Sequence, residues 1–279
     1  MTACRSVECY GGAAEFLADA GPWLLAAEAD NNLLLSIALM LTTDDHPFRG
    51  PVYFAAVKEV GQIIGCALCP PPDGLEIGVL PQGAAELLVP SVASLQPTLG
   101  GVSGSEPAVL EFAQAWVRAR GGEWRAQYRG RLFRLDAVRT PLAVSGRLRA
   151  AESGDWELLA DWAVRYARAI DTHVDLTALF ARMLRRRGLY VWDDGGAKCV
   201  VGESGNTPNG TRINAVFTPE EFRNRGYARN AVAAVSERAL TRGSRFCVLF
   251  AETGLERVYE RLGYQPIRDH LIVELRSAS

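Results

Sequence analysis

The 279-residue chain is 48% apolar and carries 30 Lys and Arg against 32 Asp and Glu, a formal net charge of -2. That length accommodates two domains of ordinary size, each able to bury a core. The balanced charge removes any general electrostatic attraction to nucleic acid or an anionic membrane, and a small-molecule site fits better.

Met1 to Tyr10 hold no apolar run behind a basic patch, so no secretory signal is expected there. Ala13 to Leu41, rich in Ala, Leu and Glu, predicts two or three short helices broken at Gly21-Pro22 and near Asp30-Asn31-Asn32. Its longest apolar stretch, Leu33 to Leu41, is too short to cross a bilayer. Val52 to Val60 and Gln62 to Cys69 predict a hairpin about Gly61, and Leu75 to Leu80 a third strand after the Pro70 to Gly74 turn. Cys66 and Cys69 form a C-x-x-C, open to a metal or redox reading but lying in an apolar strand where cysteine serves as a small hydrophobe. Six cysteines in a chain of this length are ordinary for a reducing compartment, and the protein is expected to be cytoplasmic. His46, His173 and His270 are scattered, with no partner at ligand spacing.

Ala84 to Leu95 and the Val109, Phe112, Ala113, Trp116, Val117 stripe predict two helices, and Trp124 to Val138 a strand. Thr140 to Gly146 reads as a link between a domain at 1–140 and another at 146–279. Beyond it come a strand at Arg147 to Ala150 and a helix with Leu159, Trp162, Ala163, Tyr166, Ala167 and Ile170 on one face. A second helix carries Leu176, Leu179, Phe180, Met183 and Leu184. Strands follow at Leu189 to Trp192, Ala197 to Glu203 and Arg212 to Phe217. A helix from Gly226 to about Thr241, a strand Phe246 to Ala251, a helix around Leu255 to Leu262 and a strand Ile267 to Leu275 complete the chain. Both halves share an order of elements.

The strongest local signal is Phe217-Thr-Pro-Glu-Glu-Phe-Arg-Asn-Arg-Gly-Tyr-Ala-Arg229, which joins a predicted strand to a predicted helix. Gly226 permits close approach of the backbone to a ligand, Ala228 permits tight packing, and the first helical turn offers free N–H groups. Arg223, Arg225 and Arg229 add positive charge, so a pyrophosphate is the natural guest, and a side chain at position 226 is expected to intrude on it. The chain lacks the G-x-x-x-x-G-K-[ST] and G-x-G-x-x-G alternatives.

The string Arg223-Asn-Arg-Gly-Tyr-Ala228 resembles the R/Q-x-x-G-x-G/A signature of the GCN5-related N-acetyltransferase (GNAT) superfamily. Val258-Tyr-Glu-Arg-Leu-Gly-Tyr-Gln-Pro266 resembles the segment with which that superfamily ends. The resemblance implies an α/β fold with a mixed sheet, a tandem GNAT arrangement with a degenerate N-terminal copy and an active C-terminal copy, similar to glycine N-acyltransferase-like proteins. It implies acetyl-CoA as co-substrate without a metal, its pantetheine arm along Ala215, Val216 and Phe217, and its pyrophosphate on the amides of Asn224, Arg225, Gly226, Tyr227, Ala228 and Arg229. It implies direct attack by an amine on the thioester, an oxyanion held by a main-chain N–H of Ala215 to Phe217, and Tyr259 as the acid for the departing thiolate. The general base stays open between Glu203 and Glu252 acting through water. Ala251 to Glu256 departs from the family pattern by lacking its asparagine. Cys199 and Cys247 sit in apolar strands without an adjacent histidine, unlike nucleophiles.

The acceptor is open among small amines, amino acids, antibiotics and peptide amines, and nothing in the sequence sets the oligomeric state. A non-catalytic acyl-CoA sensor or an interaction protein is the alternative. In the first domain the matching segment, Leu80-Pro-Gln-Gly-Ala-Ala-Glu86, is short and without arginine, and Glu86 is expected to place a negative charge where phosphates would sit.

Overall fold

The computed structural model describes residues 4–43, 46–71, 74–170 and 175–277. His173 and the Pro72-Asp73 part of the predicted turn lie outside them. The first run of elements is β1 (Arg5–Tyr10), α1 (Ala13–Ala26), α2 (Asn32–Met40), β2 (Tyr53–Glu59), β3 (Gln62–Cys69), β4 (Leu75–Ile77), α3 (Val89–Leu95), β5 (Gly101–Ser105), α4 (Glu106–Arg120) and β6 (Glu123–Leu135). The second is β7 (Arg147–Ala150), α5 (Trp156–Ala169), α6 (Leu176–Arg185), β8 (Leu189–Asp193), β9 (Ala197–Ser204), β10 (Gly210–Phe217), α7 (Tyr227–Thr241), β11 (Phe246–Glu252), α8 (Glu256–Glu260) and β12 (Gln265–Arg276). The second repeats the first element for element, including the pairing: three antiparallel ladders and then one parallel ladder, β4 to β5 in the first run and β10 to β11 in the second. This is the mixed sheet expected.

By contacts the chain forms two units, Met1–Leu132 with Phe250–Thr253 and Pro266–Ser279, and Phe133–Leu249 with Gly254–Gln265. The last strand therefore does not stay with the run that precedes it. β12 pairs with β5 from His270↔Ser105 to Glu274↔Gly101, so its Leu271, Val273 and Leu275 complete the core of the first unit against Val109, Phe112 and Trp116 of α4.

Two strands are absent from the sequence reading, and each absence has a physical reason. β1 alternates polar residues at an edge, where its Arg5 makes a 2.8 Å cross-strand ion pair with Glu59. β5 is Gly-Val-Ser-Gly-Ser, short of apolar residues because the backbones crowd there: a Cβ at Gly104 would lie 1.9 Å from the Ile77 carbonyl oxygen, and one at Gly101 2.7 Å from that of Val273. The break expected at Gly21-Pro22 does not occur; α1 passes through both, with Phe16, Ala20 and Leu24 buried along one face against Phe54 and Leu68. Cys66 and Cys69 are both buried, but at three residues' separation on β3 they face opposite sides of the sheet and enter different cores. They cannot share a metal or a disulfide in this conformation, and burial pushes the Cys66 thiol up to about 12. Among the described residues no helix is long and apolar enough to cross a membrane.

Candidate functional site

The second unit contains a strand with one open edge. The ladder of β10 to β11 runs only from Gly210↔Phe246 to Arg212↔Val248. On its other side β10 stays paired with β9 as far as Phe217↔Val200, through a bulge between Asn214 and Phe217. Among the described residues, Ile213 to Phe217 thus have main-chain groups with no ladder partner on the β11 side. The bulge puts Ala215 at φ 52°, a left-handed conformation that costs a non-glycine residue roughly 1–2 kcal/mol. Strain of this kind is held by its surroundings. Here the Asn214 amide donates to Ser204 Oγ at 2.9 Å, and Ala215 and Phe217 pack into the core beneath α5 and α6.

Directly after β10 the chain makes a 3-10 turn at Glu220–Phe222, then passes through Asn224 at φ 63° and Gly226 at φ 84° into α7. Left-handed residues thus flank Arg225, and alternation of hand along successive residues is the pattern by which main-chain amides can converge on an anion. Among the described residues no side chain caps α7, and its first turn holds no acid. The main chain's first helical bond there, from Asn230 N to Gly226 O at 3.1 Å, leaves the N–H groups of Tyr227, Ala228 and Arg229 at the open end.

The three arginines differ. Arg223 is drawn back onto its own loop, donating from Nε to the Thr218 carbonyl at 3.1 Å and pairing with Glu220 at 3.6 Å. Arg225 is exposed. Arg229 has its Nε buried without a hydrogen-bond partner. Tyr227 is an anchor: its ring is buried and its hydroxyl donates to Asp194 Oδ2 at 2.7 Å. Asp194 also accepts from Ser145 Oγ at 2.7 Å, and Asn230 Nδ2 donates to the carbonyls of Gly226 and Leu142 at 3.1 and 3.2 Å. The segment about residues 142–145 therefore fixes the helix start. Asp194 and Asn230 were not singled out in the sequence, where nothing local marks a bond spanning 33 or 88 residues.

Tyr259 lies on α8, half-buried, with its ring edge-on to Tyr264 at 6.1 Å. Tyr264 is itself fixed by a 2.8 Å hydroxyl contact with Ser236. Desolvation, with smaller contributions from Tyr166 and Cys199, raises the Tyr259 pKa well above the ordinary tyrosine value, so the phenol stays protonated. Tyr166 in turn packs on Phe217 at the end of β10, ring centroids 5.5 Å apart.

Of the base candidates, Glu203 is committed elsewhere. Arg242 engages both its carboxylate oxygens and the Tyr190 hydroxyl donates to it at 3.3 Å, so three of its roughly four acceptor sites are taken within the protein. Glu252 is exposed at the end of β11 and falls in the first unit. Burial pushes the Cys199 and Cys247 thiols up to about 12, which opposes thiolate formation at neutral pH. His270 is buried, with the Phe250 ring at 4.5 Å.

The corresponding segment of the first unit holds an anion already, and it is the protein's own. The Glu111 carboxylate accepts from the main-chain N–H groups of Gly83 at 2.7 Å, Ala85 at 2.6 Å and Glu86 at 3.2 Å. The negative charge there comes from Glu111 rather than from the Glu86 side chain, which turns to Arg118 at 3.4 Å. Charge-assisted bonds of this kind are worth roughly 1.5–3 kcal/mol each. Because the site is only partly buried and water can take up some of the freed amides, Glu111→Ala is expected to destabilise the first unit by about 2–4 kcal/mol, less than the sum of the three bonds, read as a lower denaturation midpoint. A midpoint unchanged from wild type would show that water replaces the carboxylate at no cost.

Residues 200–273 match a family model described as FR47-like protein. A search among curated proteins finds no match. A solved Drosophila protein is similar over 99% of this chain and 100% of its own, at 13% identity and a TM-score of 0.70. A tandem GNAT protein from the clavulanic acid biosynthesis pathway is similar over 98% and 99%, at 17% identity and a TM-score of 0.59. A GCN5-related N-acetyltransferase from Sphaerobacter thermophilus is similar over 98% and 97%, at 18% identity and a TM-score of 0.58. With its repeated order of ten elements, this chain has the tandem GNAT fold, and its second run carries FR47-like sequence.

Proposed function

We propose that the second unit binds acyl-CoA, acetyl-CoA in the first instance, and transfers its acyl group to an amine. One observation carries this reading: an unladdered strand edge with a bulge at Ala215 leads within a dozen residues into an uncapped fifteen-residue helix through a left-handed turn. An extended amide-bearing arm suits the first feature and a pyrophosphate the second. The Arg229 guanidinium, with Nη2 3.6 Å from where a Cβ at Gly226 would stand, adds positive charge at that turn.

On this reading Ala215, Val216 and Phe217 pair with the pantetheine arm through main-chain groups. An N–H among them faces the thioester oxygen, where negative charge develops as the amine attacks. The amides of Asn224, Arg225, Gly226, Tyr227, Ala228 and Arg229 hold the pyrophosphate, and Arg225, exposed, approaches it from solvent. Tyr259 gives its proton to sulfur as the carbon–sulfur bond breaks. The amine's proton leaves through water, since Glu203 is occupied by Arg242.

Calorimetry with acetyl-CoA is expected to saturate at one equivalent per chain, because Glu111 fills the matching nest in the first unit. A panel of small amines, amino acids and peptide amines then reads thiol release. Amine-dependent release supports the enzyme; binding without release from any amine supports the sensor alternative; no binding overturns both.

A further inference from the structure

The end of β10 is bounded by aromatic rings that the transfer chemistry does not use. Trp162 and Tyr166 stand one turn apart on α5, and both rings meet Phe217, at 6.3 Å edge-on and 5.5 Å tilted. Trp162 and Phe217 are buried, while Tyr166 is half-buried and forms the outer edge of the group. Space behind the bulge is filled as well: a Cβ at Gly202 would lie 2.1 Å from Met183 Cε and 3.1 Å from the Ala215 Cβ. A close-packed interior of this kind does not yield a channel without repacking.

We propose that Tyr166, backed by Trp162 and Phe217, closes the acyl end of the site and restricts the donor to short acyl groups, acetyl above all. The inference rests on the function proposed above. If the thioester oxygen meets an N–H of residues 215–217 and the sulfur meets Tyr259, the acyl substituent leaves the same carbon and runs toward Phe217 and the ring against it. Acetyl presents one methyl group to that wall. Each further methylene must displace a ring, and a single methylene in a packed pocket discriminates by roughly 10- to 200-fold. Tyr166 is the ring that can be removed with least loss of core, because Trp162 and Phe217 are the buried pair.

The test is kcat/KM for acetyl-, propionyl-, butyryl- and hexanoyl-CoA with one fixed amine, alongside calorimetric binding of each. Wild type is expected to lose at least about 10-fold from acetyl to butyryl. Tyr166→Ala raises the butyryl-to-acetyl ratio by about 10-fold or more, while Tyr166→Phe keeps the wild-type ratio because ring volume and not the hydroxyl sets it. Should Tyr166→Ala fail to fold, Tyr166→Leu reports the same ratio with a smaller change. Equal use of acetyl- and hexanoyl-CoA by wild type, or an unchanged ratio in a folded Tyr166→Ala or Tyr166→Leu protein that still binds acetyl-CoA, overturns the inference and leaves the proposed function intact. Failure of wild type to bind any of the four overturns the function itself.

Discussion

Tyr259→Phe is expected to lower turnover by roughly 10²- to 10⁴-fold at saturating substrates, with affinity for CoA close to that of wild type. The split follows from when the hydroxyl acts. A ring that packs edge-on against Tyr264 keeps that contact as phenylalanine, so the local structure survives the change. What is lost is a proton available only as sulfur departs. Desolvation raises the Tyr259 pKa, so the sign of the pH effect is determined: the protonated, active form persists past the ordinary tyrosine value of about 10. Loss of the acid therefore does not limit wild-type turnover below that pH, and an alkaline fall there must have another origin. Steady-state rates across pH with calorimetry at neutral pH check both parts. Wild-type turnover in Tyr259→Phe would remove the tyrosine from the mechanism.

Much of the second unit was legible because its signals are local. The apolar stripe Leu159, Trp162, Ala163 on α5 and the turn Asn224-Arg225-Gly226 before α7 each lie within one or two turns of chain, and both are where the sequence reading puts them. Features that depend on distant partners were not legible. β12 pairs with β5 across about 170 residues, so its periodicity predicts a strand but not the unit it joins. β5 itself was hidden because the glycines demanded by close backbone approach to Ile77 and Val273 dilute its apolar pattern.

The candidate site divides in the same way. Its main-chain parts follow from positive φ at Ala215, Asn224 and Gly226, of which only the glycine announces itself by residue type. Its side-chain commitments come from outside the motif. Glu203 reads in the sequence as a candidate base, and nothing local there marks its engagement by Arg242, thirty-nine residues away. Glu111 occupies amides twenty-five to twenty-eight residues before it, so a segment that reads as too short to bind an anion proves to be already binding one. The two units use one structural device, with the anion supplied from within the chain in the first and from the proposed ligand in the second.

Gly226→Val is expected to weaken acyl-CoA binding by on the order of 10- to 1,000-fold, through the turn rather than through a side chain standing in the phosphate position. At φ 84° the residue is left-handed, which a β-branched side chain resists. The geometry also shows where a side chain would go: a Cβ there lies 3.0 Å from Val144 Cγ1 and 3.6 Å from Arg229 Nη2, toward the segment that clamps the helix start. Relief of both strains shifts the amides of Arg225 to Arg229 out of register with one another. Losing one charge-assisted bond of about 1.5 kcal/mol gives the lower end of that range, and a total loss of about 4 kcal/mol over two such bonds gives the upper end. The contact and the backbone strain are separable. Gly226→Ala keeps the Val144 contact with a smaller group, and adding Val144→Ala removes the contact while leaving φ unfavourable, so the double variant recovers part of the affinity that the single one loses. Calorimetry on variants with wild-type melting behaviour reads the series. Unchanged affinity in a folded Gly226→Val protein would show that the phosphates are held elsewhere.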